Sequence, residues 1–127
     1  MELELERIKW VAFCESLQGA RLTFPFGKEA SVMKLSDKMF ALIHFHKGVL
    51  FVSAKCEPER AERLKEEYRS IVPGYHLNKT HWISLMYDGE CDVPDELVKA
   101  ILENSYQLIF AKLSKQKQNA VLFSNQD

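Results

Sequence analysis

Residues 31–55 alternate apolar and mixed side chains over three short runs, joined by two polar connectors, Ser36-Asp37 and His46-Lys47-Gly48. Connectors that brief join antiparallel neighbours, so residues 31–35, 38–45 and 49–55 are expected to form a meander. Successive side chains on a strand point to opposite faces, and the meander therefore sorts its residues into two sets. Met33, Leu35, Met39, Ala41, Ile43, Phe45, Leu50, Val52 and Ala54 form the first, apolar throughout and expected to meet helices. Val32, Lys34, Lys38, Phe40, Leu42, His44, Val49, Phe51, Ser53 and Lys55 form the second. It mixes bases with aromatics and is expected to face outward or to be only partly covered.

The helices to cover the first set lie on both sides of the meander. Residues 2–18 carry Leu3, Trp10, Phe13, Cys14 and Leu17 at the helical period, with Arg7 interrupting the stripe and Gly19 as the stop. Residues 57–70 are expected to form a second helix, with Pro58 in its tolerant first turn and Ala61, Leu64 and Tyr68 inward. Val72-Pro73-Gly74 breaks that helix, residues 75–80 read as a polar, aromatic connector, and residues 81–86 alternate as a further strand. Residues 94–113 carry the third helical pattern. Asn104 and Ser105 compete for backbone hydrogen bonds and are expected to mark a kink or restart. Beyond Ser114 the apolar period fades, so residues 116–127 are expected to be a loosely ordered tail after one domain over residues 1–115.

A chain of 127 residues suffices for one core. No apolar run approaches the ~20 residues of a membrane span. Three glutamates in the first six residues do not resemble a secretory signal, so a cytoplasmic location is expected, and separately a monomer. Cys14, Cys56 and Cys91 are far apart and form no CxxC pair, which points to free thiols. A net charge of −1 argues against coating nucleic acid by bulk electrostatics. The charge is nevertheless uneven. Residues 19–56 hold six bases and two acids, whereas residues 86–105 hold six acids and one base.

Chemistry is sparse in these patterns. His44 and His46 stand two apart on one strand face, a spacing that two metal ligands can use, but no HExxH or clustered Asp/His pattern completes a site. Ser84 and Ser105 lack a nucleophile-elbow context and the cysteines lack an evident base, so no catalysis, metal or cofactor is expected. What remains is the basic and aromatic face of Lys34, Lys38, Phe40, Phe51, Lys55 and Trp82, with Lys79 nearby. Ammonium groups neutralise phosphate and rings offer stacking platforms, a combination that suits nucleic acid. The same face suits an anionic small molecule or a protein partner.

Several short pieces, in order, give the chain a family likeness. They are Phe24-Pro25-Phe26-Gly27, Lys38-Met39-Phe40-Ala41, Lys55-Cys56 ahead of Pro58-Glu59, Pro73-Gly74-Tyr75-His76-Leu77-Asn78-Lys79, His81-Trp82-Ile83, and Ser105-Tyr106 ahead of Lys112-Leu113. Together they resemble the MmcQ/YjbR family from the first helix to about Lys115. The resemblance implies an α+β fold of two layers, an antiparallel sheet with helices packed on one side, similar to the frataxin-like (CyaY-like) arrangement. Members are usually described as DNA-binding. On the matching positions the resemblance implies Lys38, Lys55, His76, Lys79, Trp82 and Tyr106 as nucleic-acid or ligand-binding residues. Lys38, Lys55 and Lys79 would then meet phosphates while Trp82 or Tyr106 stacks. In the alternative, His76, Lys79, Trp82 and Tyr106 line a pocket for a small anionic ligand or a protein partner.

Overall fold

The computed structural model describes residues 2–124. In chain order the elements are α1 (Glu2–Glu15), β1 (Ala20–Thr23), β2 (Ala30–Leu35), β3 (Lys38–His46), β4 (Val49–Lys55), α2 (Pro58–Glu67), β5 (Ile71–Pro73), β6 (Trp82–Tyr87), α3 (Asp95–Lys112) and α4 (Lys115–Leu122). The strands make one six-stranded sheet in the order β1-β2-β3-β4-β6-β5, antiparallel throughout. The expected meander is its centre. The β3–β4 turn places Lys47 and Gly48 at φ of 51° and 80°, the left-handed pair that a two-residue hairpin uses to match strand twist.

Helices cover one face. Met33, Leu35, Ala41, Ile43, Leu50, Val52 and Ala54 pack against Trp10 and Cys14 of α1, Ala61 and Leu64 of α2, and Val98, Ile101, Leu102 and Ile109 of α3. This is the two-layer α+β fold. No helix among the described residues is long and apolar enough to cross a membrane.

The strand parity holds except at one place. Met33 pairs with Ala41 and the next residue, Lys34, pairs with Met39, which leaves Phe40 as an extra residue on β3. Such a bulge reverses the phase of everything before it. Phe40, expected outward, is fully buried in the core with its ring edge-on to Tyr106 at 5.5 Å. Met39, expected inward, takes the outer side together with Lys34. Lys38 shifts with it, to the helix side.

Two expectations for the C-terminal third are also corrected. α3 runs without a break through Asn104 and Ser105. The Ser105 hydroxyl turns into the sheet, donating to the Phe40 carbonyl at 2.6 Å and accepting from the Lys55 N–H at 2.9 Å, while Asn104 donates to Glu57. The stretch expected as a loose tail forms α4, capped by Ser114 accepting from the Lys117 N–H and anchored by Val121 in the core. One buried valine in an octet whose first five residues are polar is too faint a period to announce a helix. Residues 125–127 lie outside the described part.

The outer face of the sheet is less open than its composition implies. Residues 74–81, between β5 and β6, fold back over it, starting from Gly74. A Cβ at Gly74 would sit 2.7 Å from that of Trp82, so only glycine lets the chain turn there. The Asn78 side chain accepts from the Thr80 and His81 N–H groups and closes the far end.

Candidate functional site

Tyr75 holds this connector against the sheet. Its N–H donates to the Ser84 hydroxyl at 2.8 Å, and Ser84 shares a 2.6 Å bond with Ser53 beneath the loop. Its ring lies flat on Phe51, centroids 4.4 Å apart at 3°. Phe51 stacks in turn on His44 at 5.4 Å. Tyr75, Phe51 and His44 therefore spend their faces on each other.

Beside this stack the outer face opens into a groove of about 590 Å³, within the range of small-molecule sites. Val32, Met39 and Leu42 lie on its floor, Pro25 and Phe26 come from the loop after β1, and Leu77 comes from the connector. Lys34, His44 and His76 are its polar members. Phe26 is 74% exposed, an aromatic ring standing in solvent at the lip.

The histidines gather at one end of the groove. His44 is only 9% exposed, and its Nδ1 has no hydrogen-bond partner among the described residues. Burial, reinforced by His76 and His46 close by, holds its pKa below the usual imidazole range. His76 has a φ of 62°, a left-handed conformation uncommon for a residue with a Cβ. Its ring centroid lies 5.5 Å from that of His46 and 6.5 Å from that of His44. Among the described residues no three His, Cys, Asp or Glu side chains are grouped to hold a metal ion.

The expected site residues scatter. Lys38 and Lys55 meet at a second, smaller hollow of about 180 Å³ at the end of the sheet, with Lys112, Ile109 and Leu113 of the α3 terminus. His76 lines the groove. Lys79 spends its ammonium on the Gly74 carbonyl at 2.9 Å and lines neither concavity, and the half-buried Trp82 packs against Gly74. Tyr106 belongs to the opposite layer, buried, its hydroxyl donating to the Gln18 carbonyl. His76, Lys79, Trp82 and Tyr106 thus do not line one pocket. The groove residues Pro25, Phe26, Met39, Leu42 and Leu77 and the hollow's Lys112 escaped the sequence reading as a site. An exposed Phe-Pro-Phe-Gly was the one available signal.

Fold and site together define a two-layer α+β domain whose sheet packs helices on one face and, on the other, carries a groove roofed in part by its own β5–β6 connector. The chain belongs to the YjbR family, whose model matches residues 15–108. It is 38% identical over 100 residues to uncharacterized protein YbdF of Escherichia coli O157:H7, covering 79% of this chain and 80% of that one. It is 29% identical over 110 residues to uncharacterized protein YjbR of Escherichia coli K12, covering 87% and 92%. The crystal structure of Deinococcus radiodurans protein DR2400, described as domain DUF419, superposes with a TM-score of 0.79 at 36% identity, over 90% of this chain and 86% of that one. A Pseudomonas syringae protein shares the fold, with a TM-score of 0.70 at 24% identity, over 80% of this chain and 97% of that one.

Proposed function

We propose that this protein is a non-catalytic binding module that takes a small molecule with an apolar, flat body and an acidic group into the outer-face groove. The observation that carries this reading is the lining itself. Seven apolar side chains surround a concavity of ligand size, and the three polar members, Lys34, His44 and His76, are all bases. An apolar body gains by leaving water, and a few placed polar groups set its orientation.

The test is a panel of aromatic and aliphatic carboxylic acids, each added to isotopically labelled protein and followed by amide and methyl NMR shifts. Shifts centred on residues 26, 32, 42, 44 and 76 are expected. Phe26→Ser, at an exposed position that leaves the core alone, should weaken binding about tenfold, the scale of one lost aromatic contact. A panel that shifts nothing in the groove, or shifts unaffected by Phe26→Ser and Lys34→Ala, would sink the idea.

A second reading, DNA binding, is favoured by the meeting of Lys38, Lys55 and Lys112 in one hollow. Lysines neutralise backbone phosphates without needing the aromatic platforms, which here are occupied. Its mark is affinity for duplex DNA that falls steeply with salt.

A further inference from the structure

The hollow at the end of the sheet is lined by three lysines that are remote in sequence. Lys38 opens β3, Lys55 ends β4 and Lys112 ends α3, and Ile109 and Leu113 complete the lining. Among the described residues none of the three makes an ion pair with a carboxylate. Asp37, whose carboxylate also feels the Lys38 charge, ion-pairs with Lys117 at 3.5 Å, and Glu57 accepts from Asn104.

Converging like charges repel, and the backbone brings all three lysines to one end of the sheet, Lys38 and Lys112 exposed and Lys55 half-buried. Ser105 clamps the Lys55 N–H to α3, and the bulge that buries Phe40 turns Lys38 to the helix side. Burial, with the Lys112 ammonium next, lowers the Lys55 pKa below the ordinary lysine value. The α3 carboxyl end, with its negative dipole, offsets one of these charges at most. Its Phe110 carbonyl is already taken by the Leu113 N–H and by the Gln118 side chain.

We propose that the hollow lined by Lys38, Lys55 and Lys112 is a binding site for a phosphoryl group. Its 180 Å³ would hold about six waters at ~30 Å³ each, room for one tetrahedral oxyanion with little hydration. Three lysines, each a rotatable point charge with three donors, suit a tetrahedral, multiply charged oxyanion better than a planar carboxylate, which a guanidinium fork matches. The site is separate from the groove, since Met39 lines the one and its neighbour Lys38 the other. It sharpens the second reading above, because a phosphorylated metabolite and a nucleic-acid backbone both present this chemistry.

The experiment is thermal unfolding of the full chain with phosphate, pyrophosphate or chloride at matched ionic strength, repeated with a short DNA duplex, for the parent, Lys55→Met and Lys112→Met. Phosphate is expected to raise Tm by about 4 °C once tenfold above its Kd, with pyrophosphate acting at lower concentration and chloride without effect. Both variants should lose at least three quarters of that rise. In phosphate-free buffer Lys55→Met should unfold at the same temperature as the parent or higher, because a repulsion has gone, whereas a purely structural lysine would leave the variant less stable. Phosphate binding without duplex binding supports the site and refutes the DNA reading. Duplex binding that survives both substitutions removes the hollow from the DNA reading, and a phosphate rise that survives with it overturns the site. A phosphate effect equal to that of chloride, or undiminished in both variants, overturns the site outright.

Discussion

At the scale of single residues, His44 is the most informative side chain. It sits in a sheet, stacked on Phe51, with an imidazole that burial and two neighbouring histidines discourage from taking a proton. The folded-state pKa therefore lies below the unfolded value of about 6.5, and the unfolded chain binds the proton first as pH falls. Stability linked to His44 is full above that pH and declines below it, until the folded pKa is reached. Urea unfolding followed from about pH 7.5 to 5.5 should show that decline, and His44→Phe, which keeps the stack, should flatten it. An identical slope in the variant would mean that other groups carry the pH dependence. His76 is the complement. It is exposed, and its left-handed backbone is held by the connector rather than by its own preference.

At the scale of elements, one hydroxyl ties α3 to the sheet in addition to the packing of Val98, Ile101, Leu102 and Ile109. Ser105 reaches two strands at once, β3 through the Phe40 carbonyl and β4 through the Lys55 N–H. Ser105→Ala removes both bonds and leaves a half-buried N–H without its acceptor, so a loss of about 1–3 kcal/mol is expected. Denaturant unfolding reads that loss, and a change under about 0.5 kcal/mol would show that the joint is held by packing alone. In this element the sequence makes some features legible and hides others. The helical period over residues 94–113 announced a helix, although the face it buries is that of Val98, Ile101, Leu102, Tyr106 and Ile109, and the alternation in residues 31–55 announced the strands and which side would meet helices. The Ser105 bonds, the bulge beside Phe40 and the seating of α4 depend on partners far along the chain, and no local period reports them. The groove was hidden for the same reason: its walls come from residues 25–26, 30–44 and 76–77, brought together only by the folded-back connector.

For the molecule as a whole, one sheet separates two environments. On the helix side the interior is a buried, largely apolar core. Cys14 is fully buried there, and burial pushes its thiol up to about 12, so the reactive thiolate is scarce even when reagent arrives. Cys91 is half-buried near the β6–α3 junction. Alkylation resolved by mass spectrometry should modify Cys91 in the native protein and Cys14 only through global opening, slower by a factor on the order of 10³ or more. Equal rates at the two positions would show that α1 detaches locally. The other side of the sheet is an aromatic stack, a groove and a connector tied down by Tyr75 and Ser84.

The unmatched residue on β3 has a consequence for how such a chain can vary. The two halves of that strand obey opposite parity, so losing or gaining one position in the β2–β3 hairpin would trade the ring of Phe40 for the thioether of Met39 on both sides at once. Hairpin length is thereby frozen. Side-chain identity at position 39 remains free to drift, which lets the cleft be retuned by replacement while the hydrophobic interior opposite stays as it is.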